Sequence, residues 1–230
     1  MTKIHLSKKV IITLLIIFIA ASALAGVYLW QRLERVTVPR QLAKEERQRY
    51  EQRLLAAEQR IKELQKQGSQ NKPELFDAFM QAGAQQYGLG RLADAERSYR
   101  SAEEIMPDNP AGWVALHEVL VERKKYEEAG KAIVKATEIA PRVPDLWRRL
   151  ITFKKLYGNL SAERMNSLYL EALNKTGGHA EILVLYARFE EEQGNLKVAM
   201  DLWREALKQQ PQNPAFREEY ERLQNLLNRK

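Results

Sequence analysis

The chain has 230 residues, 45% hydrophobic and 29% charged, a composition that allows one folded domain with appendages and excludes a disordered chain. It contains no cysteine, which excludes disulfides, thiolate metal sites and cysteine nucleophiles. The net charge of +7 arises in residues 1–72, with 14 Lys/Arg against 6 Asp/Glu, because residues 73–230 carry 23 against 24. A phosphate-binding surface, and with it a nucleic-acid partner, is therefore not expected on the larger part.

The first segments predict a membrane anchor. Residues 1–9 form a short basic tail, and residues 10–30 carry no charge. A helix of these 21 residues would be about 31 Å long, the thickness of a bilayer core. We therefore predict a single-pass transmembrane helix at 10–30 that contacts the lipid bilayer. A cleaved signal peptide is the alternative, because Ala23-Leu24-Ala25 before Gly26 fits a cleavage pattern.

The charges on the two sides of this predicted span do not by themselves give its orientation in the membrane. Lysines precede the span and arginines follow it, so the positive-inside count does not decide. A short tail with its charges next to the span is typical of a signal anchor, which places the C-terminal domain outside the cytoplasm. The cytoplasmic face is one alternative, and a secreted or periplasmic protein after cleavage is the other.

Residues 31–67 predict a basic helical stalk, followed by a linker at 68–75. Its apolar residues are spaced alternately by four and three positions, a short coiled-coil-like seam of about two and a half heptads: Tyr50, Leu54, Ala57, Ile61 and Leu64. This seam allows a homo-oligomer formed through the stalk. The alternatives are a single spacer helix and a helix whose arginines contact anionic lipid headgroups.

A small-large-small pattern then recurs at intervals of 34, 36 and 34 residues. Small residues let helices approach closely, and the large residue between them fills the neighbouring gap. A proline follows each set except the third, where Gly177 takes its place. The sets are Ala95-Tyr99-Ala102, Ala129-Ile133-Ala136, Met165-Tyr169-Ala172 and Ala199-Trp203-Ala206.

These residues, each set preceded by a second helical pattern, resemble the tetratricopeptide repeat (TPR) family. The resemblance implies an all-α chain whose main domain is an α-solenoid of four TPR helix pairs with a C-terminal capping helix. The repeats are expected at 76–109, 110–143, 144–179 (divergent) and 180–213, with the cap at 214–230. Repeat four also resembles the half-a-tetratricopeptide (HAT) variant associated with RNA processing, an association that the anchor and the neutral domain argue against.

No pattern for catalysis or for a cofactor or metal is found: a phosphate loop, a nucleophile elbow and paired histidine ligands are all missing. We expect no enzyme activity. His117 is expected to be a packed or partly exposed helix residue. The triplet Glu190-Glu191-Glu192 is expected to be solvated helix surface.

The TPR resemblance implies a concave groove lined by positions 2, 5, 9, 12 and 13 of each first helix. Such a mixed apolar and charged lining suits a peptide held by apolar anchors and oriented by charge. Ala84, Gly88, Ala111, Glu122, Asp145, Leu156, Glu181 and Glu192 occupy other positions of this set. The candidate groove residues are Asp77, Met80, Tyr87, Val114, Glu118, Val121, Arg148, Thr152, Lys155, Val184, Arg188 and Glu191.

The function expected from these features is that of a membrane-tethered scaffold or assembly factor that binds a client protein or peptide in the groove. A structural subunit of a larger membrane complex, assembling through stalk and solenoid, is the alternative.

Overall fold

The computed structural model describes residues 42–67 and 71–228, and this part of the chain is all-helical. The predicted membrane span and the first part of the predicted stalk lie outside the described residues. Within the described ranges, no helix combines the length and apolar character needed to cross a bilayer. The helices are α1 (Lys44–Lys66), α2 (Lys72–Gly88), α3 (Leu92–Ile105), α4 (Pro110–Glu122), α5 (Tyr126–Ile139), α6 (Pro144–Tyr157), α7 (Ala162–Thr176), α8 (Ala180–Glu192), α9 (Leu196–Gln209) and α10 (Pro214–Asn228).

Helices α2 to α9 form four antiparallel pairs that stack as a solenoid, as the repeat pattern predicts. The first helices of the pairs are α2, α4, α6 and α8, and the second helices are α3, α5, α7 and α9. The small residues of the pattern have 0% exposed surface, for example Ala129, Ala136 and Ala206. The large residue between them is equally buried, as for Ile133 and Trp203. Close approach at the alanines therefore produces the stacking.

The proline that ends one repeat is held by the helix that begins the next. The indole nitrogen of Trp113 donates to the carbonyl of Pro107 over 2.8 Å, and that of Trp147 donates to the carbonyl of Pro141 over 2.8 Å. The half-buried carbonyl of Pro141 would lose its protein donor without the indole, so the aromatic residue at position 4 has a hydrogen-bonding role as well as a packing role. This contact explains why the aromatic residue and the proline recur together.

At the junction between repeats three and four, the second helix ends without proline, and a different side chain binds the carbonyl that follows it. Gly177 and Gly178 have φ angles of +68° and +74°, a left-handed conformation that favours glycine and ends α7 without proline. Position 4 of the next helix is Leu183, which has no side-chain donor. Instead, the amide of Gln209 donates to the carbonyl of Gly178 over 2.6 Å.

A buried carboxylate ties the first repeat to the second. Glu96 on α3 is 5% exposed. Its oxygens accept from Arg100 at 2.9 Å and from Lys125 at 3.0 Å, and Arg123 forms a third ion pair. Since Arg123 and Lys125 flank the turn between α4 and α5, one side chain fixes that turn against the preceding repeat.

Helix α1 packs on the first repeat. Leu54 and Ala57 share a buried cluster with Ala82 of α2, and Leu64 shares another with Leu75. The contact continues to the end of α2, where the ring of Tyr50 lies so close to Gly88 that a Cβ there would be 2.4 Å from it. These contacts occupy the seam that the sequence predicted for self-association. In the fold, α1 covers the N-terminal end of the solenoid instead.

The linker predicted at 68–75 is shorter than expected, because α2 begins at Lys72. Proline at the start of a helix costs no hydrogen bond, so Pro73 fits inside the first turn. An ion pair between Arg60 of α1 and Glu74 of α2 then joins the two helices across the segment between them.

The C-terminal helix α10 begins like the first helix of a further repeat. Asn213 caps it by accepting from the backbone N–H of Ala215 over 3.1 Å, as Asn109 caps α4. At position 4, the guanidinium of Arg217 donates to the carbonyl of Pro211 over 2.8 Å, in the manner of the tryptophans. Leu223 has 0% exposure and packs with Trp203, so α10 covers the end of repeat four.

Candidate protein-binding groove

Neighbouring first helices bring one set of repeat positions together. Tyr87, at position 12 of repeat one, lies near the carboxylates of Glu122, position 13 of repeat two, and Glu118, position 9. Burial, and then the charges of these two carboxylates, raise the pKa of Tyr87. The ammonium of Lys155, position 12 of repeat three, is 2.6 Å from Glu192, position 13 of repeat four.

A second contact crosses between first helices closer to their N-termini. The guanidinium of Arg148 on α6 is 2.9 Å from Glu181 on α8, and Arg149 pairs with Glu118 on α4. Asp145 lies between these cations, 2.7 Å from Arg149. Hydrogen bonds from Arg149, partly opposed by burial, lower the pKa of the Asp145 carboxyl. Several charges of the groove are therefore already compensated within the protein.

The apolar candidate residues line the groove with half-buried surface. Met80, Tyr87, Val114 and Val121 pack against the main core, and Val184 packs against the core of repeat four. Such side chains present apolar area without needing to move, which suits a preformed binding surface.

Three candidate residues remain exposed without a hydrogen bond or ion pair in the described part of the chain: Asp77, Thr152 and Arg188. Leu156, at position 13 of repeat three, is 62% exposed and was not among the twelve candidates. Its repeat position was the signal that could have included it.

Glu191 has a structural role that the groove assignment did not anticipate. One of its oxygens accepts from the indole nitrogen of Trp203 over 2.9 Å, and the other pairs with Arg222 of α10. Its side chain is only 19% exposed. Glu191 therefore attaches the capping helix to repeat four.

The expectation that Glu190-Glu191-Glu192 is solvated surface is wrong for Glu190 and for the largely covered Glu191. Glu190 is 5% exposed, and one of its oxygens accepts from the Asn195 amide over 2.7 Å. The buried face of α8 includes this position because Ala187 and Ile182 lie on it too. Only Glu192 is exposed and faces the groove.

His117 is a packed residue, as expected. It is 7% exposed, and its Nδ1 lies 2.9 Å from the carbonyl of Ala129. Its ring makes a T-shaped contact with Phe153, with the ring centroids 5.1 Å apart. Within the described ranges, no group of three or more His, Asp or Glu side chains is arranged to hold a metal ion. A cleft of about 390 Å³ lies between α5, α6 and α7, and none of its lining residues is at a groove position.

The stacked helix pairs and the row of first-helix side chains define an α-solenoid repeat protein of the TPR type. The sequence profile of the pre-mRNA-splicing factor Syf1/CRNKL1 C-terminal HAT repeat matches residues 85–221. This match spans more than half of the 230 residues, so the chain belongs to this HAT-repeat family. The HAT likeness, noted in the sequence only for repeat four, thus extends from within repeat one into the capping helix. No curated protein matches the chain.

Solved structures share the fold at low sequence identity. BtubC from P. vanneervenii has a TM-score of 0.55 and 14% identity, covering 78% of this chain and 89% of that one. A tetratricopeptide repeat protein from Parabacteroides merdae has a TM-score of 0.53 and 16% sequence identity, covering 76% of this chain and 67% of that one. PilF of Pseudomonas aeruginosa has a TM-score of 0.52 and 18% sequence identity, covering 70% of this chain and 72% of that one. At these identities the likeness concerns the fold alone.

Proposed function

We propose that this protein is a membrane-tethered scaffold or assembly factor that binds a client protein in the concave groove of its repeats. The observation that carries the proposal is the row of first-helix side chains, in which half-buried apolar residues alternate with exposed groups such as Thr152 and Arg188 that have no partner within the described chain. Apolar anchors supply affinity and unpaired polar groups supply specificity in peptide grooves of this kind.

The tether is the apolar segment at 10–30. An anchor confines the groove to the membrane and raises its effective concentration for clients at the same surface. The orientation proposed from the tail charges places the repeats outside the cytoplasm. Reporter enzymes fused after Lys230, one active only outside the cytoplasm and one only inside, test this orientation in intact cells. Activity of the inside reporter alone would overturn it.

The groove is tested by site-specific photocrosslinking of the full-length protein in its own cells. A photoreactive amino acid at Thr152 places the probe in the groove. The same residue at Leu170, 52% exposed on the second helix α7, is the matched control outside it. We expect a discrete crosslinked client at Thr152 that is missing at Leu170. Equal products at both positions, or none at Thr152, would contradict groove binding.

The alternative is a structural subunit of a larger membrane complex. It predicts stable self-association or co-purification at fixed stoichiometry, independent of groove residues. Since α1 uses its seam inside the chain, self-association through that seam would require α1 to leave the first repeat. Size measurement of the detergent-solubilised full chain separates the two proposals.

A further inference from the structure

One contact rule recurs along the solenoid. Position 12 of one first helix meets position 13 of the next in the ion pair of Lys155 with Glu192, 2.6 Å apart. The same relation places Tyr87 beside Glu118 and Glu122. The rule extends to the capping helix: Glu191 is at position 12, and its partner Arg222 is at position 9 of the unit that begins with Pro214. Side chains at these three positions therefore form one small surface at each junction.

The three junctions inside the solenoid differ in chemistry. At the first, which we call the acidic subsite, the rule places Tyr87 beside the exposed carboxylates of Glu118 and Glu122. Arg149 compensates Glu118, whereas Glu122 has no cation partner in the described structure, so this subsite keeps one net negative charge.

The second junction is the apolar subsite: the rule places Val121 beside Thr152 and Leu156. Val121 is half-buried, Thr152 is exposed and Leu156 is 62% exposed. Leu156 occupies position 13, as Glu122 and Glu192 do in the neighbouring repeats. With most of its side chain exposed, it contributes little to the solenoid core. It presents uncharged, largely apolar surface in the middle of the groove.

The third junction is the basic subsite: Lys155, Arg188 and Glu192. Lys155 and Glu192 compensate each other at 2.6 Å, and Arg188 is exposed without an ion pair in the described part of the chain. One net positive charge remains. The groove thus changes from acidic through apolar to basic along the chain.

We infer that the groove binds a protein segment carrying a cationic, an aliphatic and an anionic side chain in that order, lying on the acidic, apolar and basic subsites respectively. Packed helices are about 8–10 Å apart, so the two charges of the segment lie about 16–20 Å apart. That distance corresponds to about six residues of extended chain. This inference rests on the proposed function and adds the chemistry and the direction of the client.

The test uses the full-length chain in detergent micelles and a displayed library of random peptides about 16 residues long, enough to span the groove even as a helix at ~1.5 Å per residue. We expect the selected peptides to carry a Lys or Arg and an Asp or Glu on either side of an aliphatic residue. Arg188→Glu should weaken the selected peptides by at least about fivefold, because it turns an attraction into a repulsion. Glu122→Lys should weaken binding by a similar factor, because it reverses the charge at the acidic subsite.

Lys197→Glu is the matched control, since it makes the same charge change at an exposed, unpaired lysine on the second helix α9. It should leave binding unchanged. Arg188 and Lys197 are both exposed, so circular dichroism should show equal folding for all variants. If peptides bind the groove but Arg188→Glu and Glu122→Lys behave like Lys197→Glu, the charge order is refuted while groove binding stands. If no peptide is selected and Thr152 yields no crosslink, the proposed function fails together with this inference.

Discussion

The buried carboxylate of Glu96 allows a quantitative prediction about the coupling between repeats. Glu96→Gln keeps the size of the side chain and removes its charge. Removing one partner of a fully buried ion pair costs about 3–5 kcal/mol. Here Arg123 and Arg100 expose 29% and 41% of their side chains and can regain water. We therefore expect the free energy of unfolding to fall by about 2–3 kcal/mol.

This loss should depend on pH in a defined direction. Burial alone would raise the pKa of Glu96, but hydrogen bonds from Lys125 and Arg100 and the charge of Arg123 lower it below 4.5 overall. A carboxylate with a lowered folded pKa stabilises the fold above its unfolded pKa, and that contribution is lost as the pH falls through the folded pKa. The difference between wild type and Glu96→Gln should be complete near pH 7 and shrink below about pH 4.5.

Urea denaturation of a fragment from residue 42 onward, followed by circular dichroism, measures both effects, because Glu45–Lys230 forms one compact unit. In a thermal scan of the same fragment, the melting temperature should fall by about 4–12 °C. Glu127→Gln, at a carboxylate whose side chain is 84% exposed, is the control and should change little. A loss under about 0.5 kcal/mol at neutral pH, or a difference that persists unchanged in acid, would refute the role assigned to Glu96.

Three further predictions use the same denaturation assay. Trp147→Phe leaves the carbonyl of Pro141 without its donor and should cost about 1–3 kcal/mol; no loss would show that water replaces the indole. Leu54→Ala should cost about 2–3 kcal/mol because Leu54 packs on the first repeat, whereas Leu55→Ala, next to it and 57% exposed, should cost little; equal effects would mean that α1 is not docked. Burial lowers the pKa of His117 below 6.5, so the unfolded chain takes up its proton first and wild-type stability should fall as the pH drops from about 7.5 to 5.5. His117→Ala should show a smaller fall, and an equal fall would assign the effect to other groups.

The repeat architecture was predictable because its determinants are local and periodic. Residues equivalent to Ala129 and Ala136 occur with the same spacing in other repeats, and proline and glycine lie between the helices. Fold class and helix pairing follow from these positions. The second helix of repeat three was also expected from Met165 and Tyr169, although its end is formed by Gly177 rather than by proline.

Contacts between segments distant in sequence were not predictable in the same way. The seam of α1 has the spacing of a coiled coil, and spacing alone does not tell whether its partner is a second chain or α2 of the same chain. The i,i+4 spacing of Glu96 and Arg100 is visible in the sequence, but Arg123 and Lys125 reach Glu96 only when α3 meets the next turn. Glu190 was misassigned because a run of three glutamates indicates surface, whereas burial depends on which face of α8 each one occupies.

The positions that determine the stacking are largely different from those exposed in the groove, although Glu191 serves the fold from a groove position. Ala136 and Ala206 are fully buried and cannot change without disturbing the stack, whereas Arg188 and Leu156 are exposed and can. The buried positions recur in every repeat, so they are the ones a repeat-family profile can detect. Membership in a HAT-repeat family therefore identifies the solenoid, while under the proposed function the side chains at positions 9, 12 and 13 select the client. A likeness to splicing factors in the core is thus compatible with a different client at a membrane, and charge reversal at Arg188 is expected to change binding with little effect on stability.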